Sequence, residues 1–268
     1  MGEQLGIEPA TTEYILVALD ASPHSEAALV AAAELAAVLH LELRGVFVED
    51  VNLLHLSGLP FGLEIGSFTA KARRLDAHNL EREFRIQATL LRKIMADVAG
   101  QRRVSWSFQV VRGGVTSELL AASSAARMLS LGRAGRNPGK RTGSTAQAVA
   151  RNTRRPVIIQ PARRRLSGPF TVAHLGTPTS DNALTLAVEL ARNHQDAIHV
   201  LVLAPAQTAV ESVQTRLAEL DVAGRVSRVD TDRELLAQLR LISEGTIVLP
   251  VEVAPWLDEV VTTVIVVP

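Results

Sequence analysis

The sequence predicts an α/β protein built from two tandem, doubly wound parallel sheets of the Rossmann-like kind. Short apolar, β-branched runs alternate along the chain with segments of helical periodicity. Apolar residues make up 47% of the 268 residues and aromatic residues only 3%. The cores must therefore be built from Ala, Val, Leu and Ile, which is typical of parallel sheets covered by helices. The alternation of apolar runs with helical segments also occurs twice along the chain.

An internal repeat divides the chain. Residues 28–36 read Ala-Leu-Val-Ala-Ala-Ala-Glu-Leu-Ala, and residues 183–191 read Ala-Leu-Thr-Leu-Ala-Val-Glu-Leu-Ala. The apolar segments that end the two copies, followed in each by a proline, are also alike. We therefore predict one domain over residues 1–161 and a shorter one over 169–268, joined by a basic, polar linker.

The elements of the first unit can be placed in order. Ser22 is a suitable N-cap with Pro23 at the first helical position, and apolar residues recur at helical spacing after it. Further helices are predicted over residues 70–99, 116–126 and 144–152, with a cap near Thr116. The predicted strands are 14–19, 43–48, 104–111, 128–131 and 157–160. Strands that alternate with helices imply right-handed crossovers and a parallel sheet.

The second unit repeats this order in shorter form. Its predicted strands are 170–175, 197–203, 225–229, 246–249 and 263–267. The interval 250–261, which contains Pro255, has room for little more than a turn or two of helix.

Composition excludes several classes of function. Lys plus Arg and Asp plus Glu both number 28, so no net field favours nucleic acid or an anionic membrane. There is no cysteine, which excludes disulfides, thiolate metal sites and cysteine catalysis. The histidines lack metal-binding spacing, and no apolar run reaches the length of a membrane span. Residues 1–12 do not resemble a signal peptide, so we expect a soluble, cytoplasmic protein.

A glycine-rich segment carries the strongest functional signal. Residues 129–145 leave a short buried strand, pass four glycines and enter a helix that starts with Ser144 and Thr145. Glycines let a backbone approach a ligand closely, and a helix start offers free N–H groups and the positive end of the dipole. Arg133 and its basic neighbours Arg136, Lys140 and Arg141 favour an anion. The pattern predicts a phosphate site.

This segment resembles the signature of the tandem-domain universal stress protein family. The signature is Gly, two residues, Gly, nine residues, Gly and then Ser or Thr, and the matching residues are Gly132, Gly135, Gly143 and Ser144. The resemblance implies an adenine nucleotide alpha hydrolase-like fold that binds ATP or another adenine nucleotide, with Mg²⁺ as an option. It also implies ligand contacts at Asp20 and, for adenine, at Val48.

The match departs from the family in one respect, because seven residues rather than nine separate Gly135 from Gly143. The shorter loop either still closes around a nucleotide or has lost binding. The alternative interpretation is a solvated basic loop whose glycines serve only to turn the chain. Asp20 has an alternative role as well, since an acid at a helix start complements the dipole.

The second unit lacks these features. Its first strand ends in Leu-Gly without an acid, and no glycine loop follows residue 249. Glu252, Asp258 and Glu259 would repel phosphate, so this unit is expected to bind no ATP. We expect it to pack on the first unit through the last strands of both, forming an internal pseudo-dimer. A further homodimer through other faces stays open.

The insertion over residues 49–66 is apolar and contains glycine. It is interpreted either as a lid over the ligand end of the sheet or as a surface that docks a protein partner of unknown identity.

Three functions compete. The first is a nucleotide-binding regulatory protein of the stress response, with at most weak ATPase activity. The second is a scaffold that binds no nucleotide and recruits a partner through the insertion. The third, a pyrophosphatase-type ligase, requires a Ser-Gly-Gly-x-Asp-Ser loop where this chain has Asp-Ala-Ser-Pro-His-Ser at residues 20–25, so it ranks last.

Overall fold

The structure is a computed structural model. It describes residues 13–57, 63–65, 72–74, 77–134, 142–203, 207–222 and 224–268.

The first half of the chain contains seven strands and five helices in these described residues. In chain order they are β1 Tyr14–Ala18, α1 Pro23–Leu39, β2 Glu42–Asp50, α2 Val51–Ser57, β3 Leu63–Ile65, β4 Ala72–Arg74, α3 Ala77–Arg102, β5 Trp106–Gly113, α4 Val115–Ser123, β6 Met128–Gly132, α5 Ser144–Asn152 and β7 Val157–Gln160.

The second half is shorter. Its elements are β8 Phe170–His174, α6 Pro178–His194, β9 Ile198–Leu203, α7 Gln207–Glu219, β10 Gly224–Val229, α8 Asp232–Leu241, β11 Thr246–Pro250, a 3₁₀ helix Val251–Glu259 and β12 Thr263–Val267.

Ten of these strands form one sheet in the order β10-β9-β8-β11-β12-β7-β6-β1-β2-β5. Each half contributes five strands in the same order, with its first strand in the middle. All neighbouring strands of this sheet run parallel except β7 and β12, which pair antiparallel. The predicted α/β class with a mostly parallel sheet is confirmed, while the domain division at residues 161 and 169 stays a prediction.

The pairing of β7 with β12 joins the two halves. Ile158 lies opposite Ile265, Val157 opposite Val266 and Ile159 opposite Val264. These apolar side chains are completely buried. The core therefore continues from one half into the other without a solvent-exposed seam at this pair of strands.

Two helix starts differ from the prediction. Helix α3 begins at Ala77 instead of residue 70, because residues 72–74 pair as a strand with residues 63–65. Helix α4 begins at Val115 with Gly114 as its N-cap, and no side chain caps it. Thr116 already lies inside the helix and so cannot be the cap. The cap of α1 is as predicted, since Ser22 Oγ accepts a hydrogen bond from the Ser25 amide at 3.1 Å.

We expect Gly245→Ala to destabilise the second half strongly. Gly245 has a φ of +77°, and a Cβ atom there would lie 2.2 Å from the carbonyl oxygen of Pro169. The left-handed conformation costs about 1–2 kcal/mol, and the backbone clash adds about 1–3 kcal/mol. Gly100→Ala on α3 is the control, because no atom of the described residues lies within 4 Å of a Cβ built there. Urea denaturation should show the larger loss for Gly245→Ala, and equal losses would contradict this explanation.

Candidate functional site

A cavity of about 440 Å³ opens where β1 and β6 end, beside residues 46–48 of β2. In doubly wound sheets, ligands bind outside the carboxyl ends of the strands, so its position is that of a ligand site. It is lined by Ala18, Leu19, Asp20, Ser25, Val46, Phe47, Val48, Val115, Leu119, Leu131, Gly132, Arg133, Ala134, Gly143, Ser144, Thr145 and Ala146.

The structure brings together around this cavity every predicted site residue that it describes. These are Asp20, Val48, Gly132, Arg133, Gly143, Ser144 and Thr145. Gly135 lies outside the described residues, as do Arg136, Lys140 and Arg141.

The start of α5 forms the polar wall. Gly143 is its N-cap, with φ −67° and ψ 152°, and among the described residues no side chain accepts a hydrogen bond from the first-turn amides. The first turn contains no acidic residue. Ser144 is exposed and Thr145 is half-buried, so their hydroxyls add donors beside the amides. Uncapped amides at the positive end of a helix dipole are suited to bind phosphate.

The turn between β1 and α1 holds Asp20 at the edge of the cavity. An oxygen of the Asp20 carboxylate accepts a hydrogen bond from the Ser22 amide at 2.9 Å. The Asp20 amide in turn donates to Ser25 Oγ at 3.1 Å. Asp20 therefore organises the start of α1 while its exposed carboxylate stays at the rim of the cavity, and the two predicted roles are compatible.

Gly132 is required by packing, whether or not a ligand binds. A Cβ atom there would lie 2.8 Å from the backbone carbon of His24 and from the Ser25 amide nitrogen. These are backbone atoms of α1 and cannot move aside cheaply. The glycine lets the end of β6 pass directly beside the start of α1.

An apolar wall completes the cavity. Val48 contributes to it as predicted, together with Val46 on the same strand. The sequence interpretation missed Val115 and Leu119, which α4 places on the same wall. Their spacing of four residues directly after a glycine pair was the available signal. The wall offers a slot for a flat apolar group beside the polar helix start.

The position of the Arg133 side chain corrects the prediction that its charge serves a ligand. One terminal nitrogen donates to the carbonyl of Val260 and the other to the carbonyl of Thr262, the latter at 2.7 Å. Burial lowers the pKa of Arg133 to about 10, partly opposed by the charge of Asp258, so the group stays charged at neutral pH. Its guanidinium is held by the second half of the chain and is not available to a phosphate in the cavity.

The second half is built differently at the corresponding place. Strand β11 runs directly into the 3₁₀ helix, which replaces the glycine-rich segment. Glu252 on this helix accepts a hydrogen bond from the Thr179 hydroxyl at the start of α6. A carboxylate of the chain itself thus occupies that helix start. Glu259 is also engaged, since Arg240 donates to it at 2.7 Å.

Glu252→Gln is expected to have a small effect that depends on pH. Burial tends to raise the pKa of Glu252, but hydrogen bonds from Thr179, from its own backbone and from Thr177 outweigh it and hold the pKa below 4.5. A lowered pKa contributes stability above pH 4.5 that is lost as the pH falls through the folded-state value. Because the side chain is exposed, the contribution should stay below about 0.5 kcal/mol.

Melting curves of wild type and Glu252→Gln between pH 7 and pH 3 test this expectation. Wild type should be slightly more stable at neutral pH, and the difference should close below pH 4.5. A difference that grows on acidification would contradict the assigned hydrogen bonds.

The insertion over residues 49–66 is described over 49–57 and 63–65, and none of these residues lines the cavity. Helix α2 packs beside α3 and β5 instead. The described part is therefore not the predicted lid. Leu53 and Leu56 on α2 are 42% and 49% exposed.

The described residues contain neither a cluster of metal ligands nor a membrane-spanning helix. No group of three or more His, Asp or Glu side chains in them is arranged to hold a metal ion. Within the same parts of the chain, no helix has the length and apolar character needed to cross a membrane.

Comparison with solved structures places the fold among universal stress proteins. A universal stress protein from Archaeoglobus fulgidus DSM 4304 is 15% identical and has a TM-score of 0.70, over 96% of this chain and 98% of that one. One from Burkholderia pseudomallei is 27% identical over 58% of this chain and all of that one, with a TM-score of 0.41. UspA from Lactobacillus plantarum is 19% identical over 57% and 99% of the two chains, with a TM-score of 0.42.

Sequence comparison identifies the family. A search of curated proteins gives no match. Residues 12–161, more than half of the chain, match the sequence model described as Universal stress protein family. This chain belongs to the universal stress protein family.

Proposed function

We propose that the protein is a nucleotide-binding regulator of the stress response, with one site for ATP or another adenine nucleotide in its first half. The observation that carries the proposal is the uncapped start of α5 facing a cavity whose opposite wall is apolar. Such a pairing of donors with an apolar slot fits a ligand that has both phosphates and a flat base.

The lining residues suggest how the ligand lies. The phosphates would accept hydrogen bonds from the first-turn amides of α5 and from Ser144 and Thr145. The base would pack against Val48, and Asp20 at the rim would accept hydrogen bonds from the ribose. In this arrangement Arg133 contributes its backbone and not its charge.

The site is poorly equipped for catalysis. Asp20 is the one acidic side chain among the described residues that line the cavity, and its carboxylate already accepts from the Ser22 amide. Efficient ATP hydrolysis needs a group that positions water and groups that stabilise the transferred phosphoryl. We therefore propose regulation by ligand-dependent shape in the cytoplasm, with at most weak ATPase activity.

Isothermal titration of the purified chain with ATP, with and without Mg²⁺, tests this proposal. We expect micromolar binding with one site per chain and a higher melting temperature at saturating ATP. Two sites per chain would mean that the second half binds as well. Absence of heat together with an unchanged melting temperature would overturn the nucleotide proposal.

The exposed leucines of α2 support a second candidate function. Leu53 and Leu56 leave an apolar surface on the insertion, which fits a scaffold that docks a protein partner without nucleotide. The ATP titration separates the two functions, because the scaffold predicts no ATP binding and the regulator predicts one site per chain. We also propose that the β7–β12 pairing makes the chain an internal pseudo-dimer.

A further inference from the structure

We propose that the second half, which lacks a glycine-rich segment of its own, holds the phosphate-binding part of the first half in place through Arg133 and Gln147. We call residues 132–133 and 142–147 the phosphate corner. Arg133 and Gln147 are then positioning residues, which act on the ligand through the corner. The ligand in this inference rests on the proposed function, but the contacts themselves do not.

Arg133 ties three elements together. Its amide donates to the Gln160 carbonyl at 2.9 Å, and its carbonyl accepts from the Gly143 amide at 2.7 Å. Its guanidinium donates to the carbonyls of Val260 and Thr262 in the second half. Arg133, directly after β6, thus links the end of β7, the N-cap of α5 and the segment that leads into β12.

The burial of this guanidinium indicates a fixed anchor. Arg133 is 4% exposed, and a buried charge is tolerated only where partners compensate for the lost water. Two carbonyls of the second half and the charge of Asp258 supply that compensation, while Arg133 Nε has no hydrogen-bond partner among the described residues. Removing the guanidinium would leave the two carbonyls without this donor. The anchored arrangement is consequently well determined, and with it the position of the Gly143 amide.

Gln147 holds the same corner from its other side. Its amide donates to the Gly143 carbonyl at 3.0 Å, and its side-chain nitrogen donates to Asp258 Oδ2 at 2.7 Å. Residues 258–262 therefore contact both the strand end and the helix that border the phosphate corner. Residues 258–262, which stand where a second glycine loop would be, thus serve as a brace for the phosphate corner.

A brace at the phosphate corner should affect the affinity for ATP and for adenosine differently. It holds the strand end and the helix start that border the phosphates, whereas the apolar wall is built by β2 and α4. Arg133→Met should therefore weaken ATP binding by about 10- to 100-fold, while binding of adenosine, which lacks phosphates, should change by less than about twofold. Gln147→Leu should also lower the affinity for ATP relative to that for adenosine, by a smaller factor. This second variant keeps the test usable if Arg133→Met folds poorly.

Arg127 offers a matched control. It also joins the two halves, since it donates to Glu13 and to Glu189 on α6. It precedes β6, however, and so lies at the end of that strand opposite the phosphate corner. Arg127→Met should leave the ratio of ATP to adenosine affinity unchanged.

Hydrogen exchange on the ligand-free chain separates the brace from the nucleotide proposal. Arg133→Met should speed exchange of the Gly143 and Gln147 amides, which donate to the carbonyls of Arg133 and Gly143, by at least about tenfold, and Arg127→Met should not. If wild type binds no ATP but the exchange result holds, the nucleotide proposal fails and the brace stands. If Arg133→Met and Arg127→Met give the same exchange and the same ATP-to-adenosine ratio, the brace is overturned.

Discussion

Gly143→Asp is expected to abolish ATP binding while leaving the protein folded. The change puts a carboxylate at the N-cap of α5, where the phosphates of the proposed ligand would lie. At about 4 Å and an effective dielectric constant of about 20, two like charges repel by about 4 kcal/mol, which corresponds to a loss of affinity of about 1000-fold. The φ of −67° at this position suits any residue, and aspartate is a favourable N-cap, so the melting temperature should not fall.

Gly143→Asn is the matched control for this substitution. Asparagine has nearly the same size and caps a helix about as well as aspartate, but it carries no charge. Titration with ATP should therefore show weakened binding for Gly143→Asn and none for Gly143→Asp. If both variants bind ATP like wild type, the phosphates do not lie at the start of α5.

Ile158→Asp is expected to cause the largest loss of stability. Ile158 lies on β7 opposite Ile265 of β12, and both side chains are completely buried. A carboxylate there would have no partner and no water, which costs about 3–5 kcal/mol or more. Whole domains are stable by only about 5–15 kcal/mol, so the variant should be largely unfolded or should melt in two separate steps.

Ile158→Val provides the comparison, because it removes one methylene and should cost about 0.5–1.5 kcal/mol. Urea denaturation followed by circular dichroism measures both variants. A small loss for Ile158→Asp, similar to that of the valine variant, would mean that the junction of the two halves is not buried in solution.

Local signals made much of the fold predictable. The Ser22 cap and the proline after it fixed the start of α1, and the alternation of apolar runs with helical patterns gave the parallel sheet. The start of α5 was predictable for the same reason, since glycine followed by Ser144 and Thr145 marks a helix start. Such signals act within a few residues, so one sequence is enough to show them.

Contacts between distant parts of the chain were not predictable in this way. Arg133 lies in a basic, glycine-rich segment of the sequence, and this composition predicts an anion as the partner of its side chain. Its actual partners lie 127 and 129 positions away in the sequence. They are backbone carbonyls, and a pattern of side chains does not predict which backbone carbonyl a residue will contact. Val115 and Leu119 join the cavity for a similar reason, because only the packing of α4 against β2 brings them there.

A crystal structure of the chain grown with a non-hydrolysable ATP analogue is the sharpest test of the proposed site. We expect one nucleotide per chain, with its phosphates accepting hydrogen bonds from the amides of residues 144–146 and its base against Val48. The Arg133 guanidinium should still donate to Val260 and Thr262 in that complex. An analogue bound in the second half, or a first-half cavity that stays empty at saturating analogue, would contradict the account.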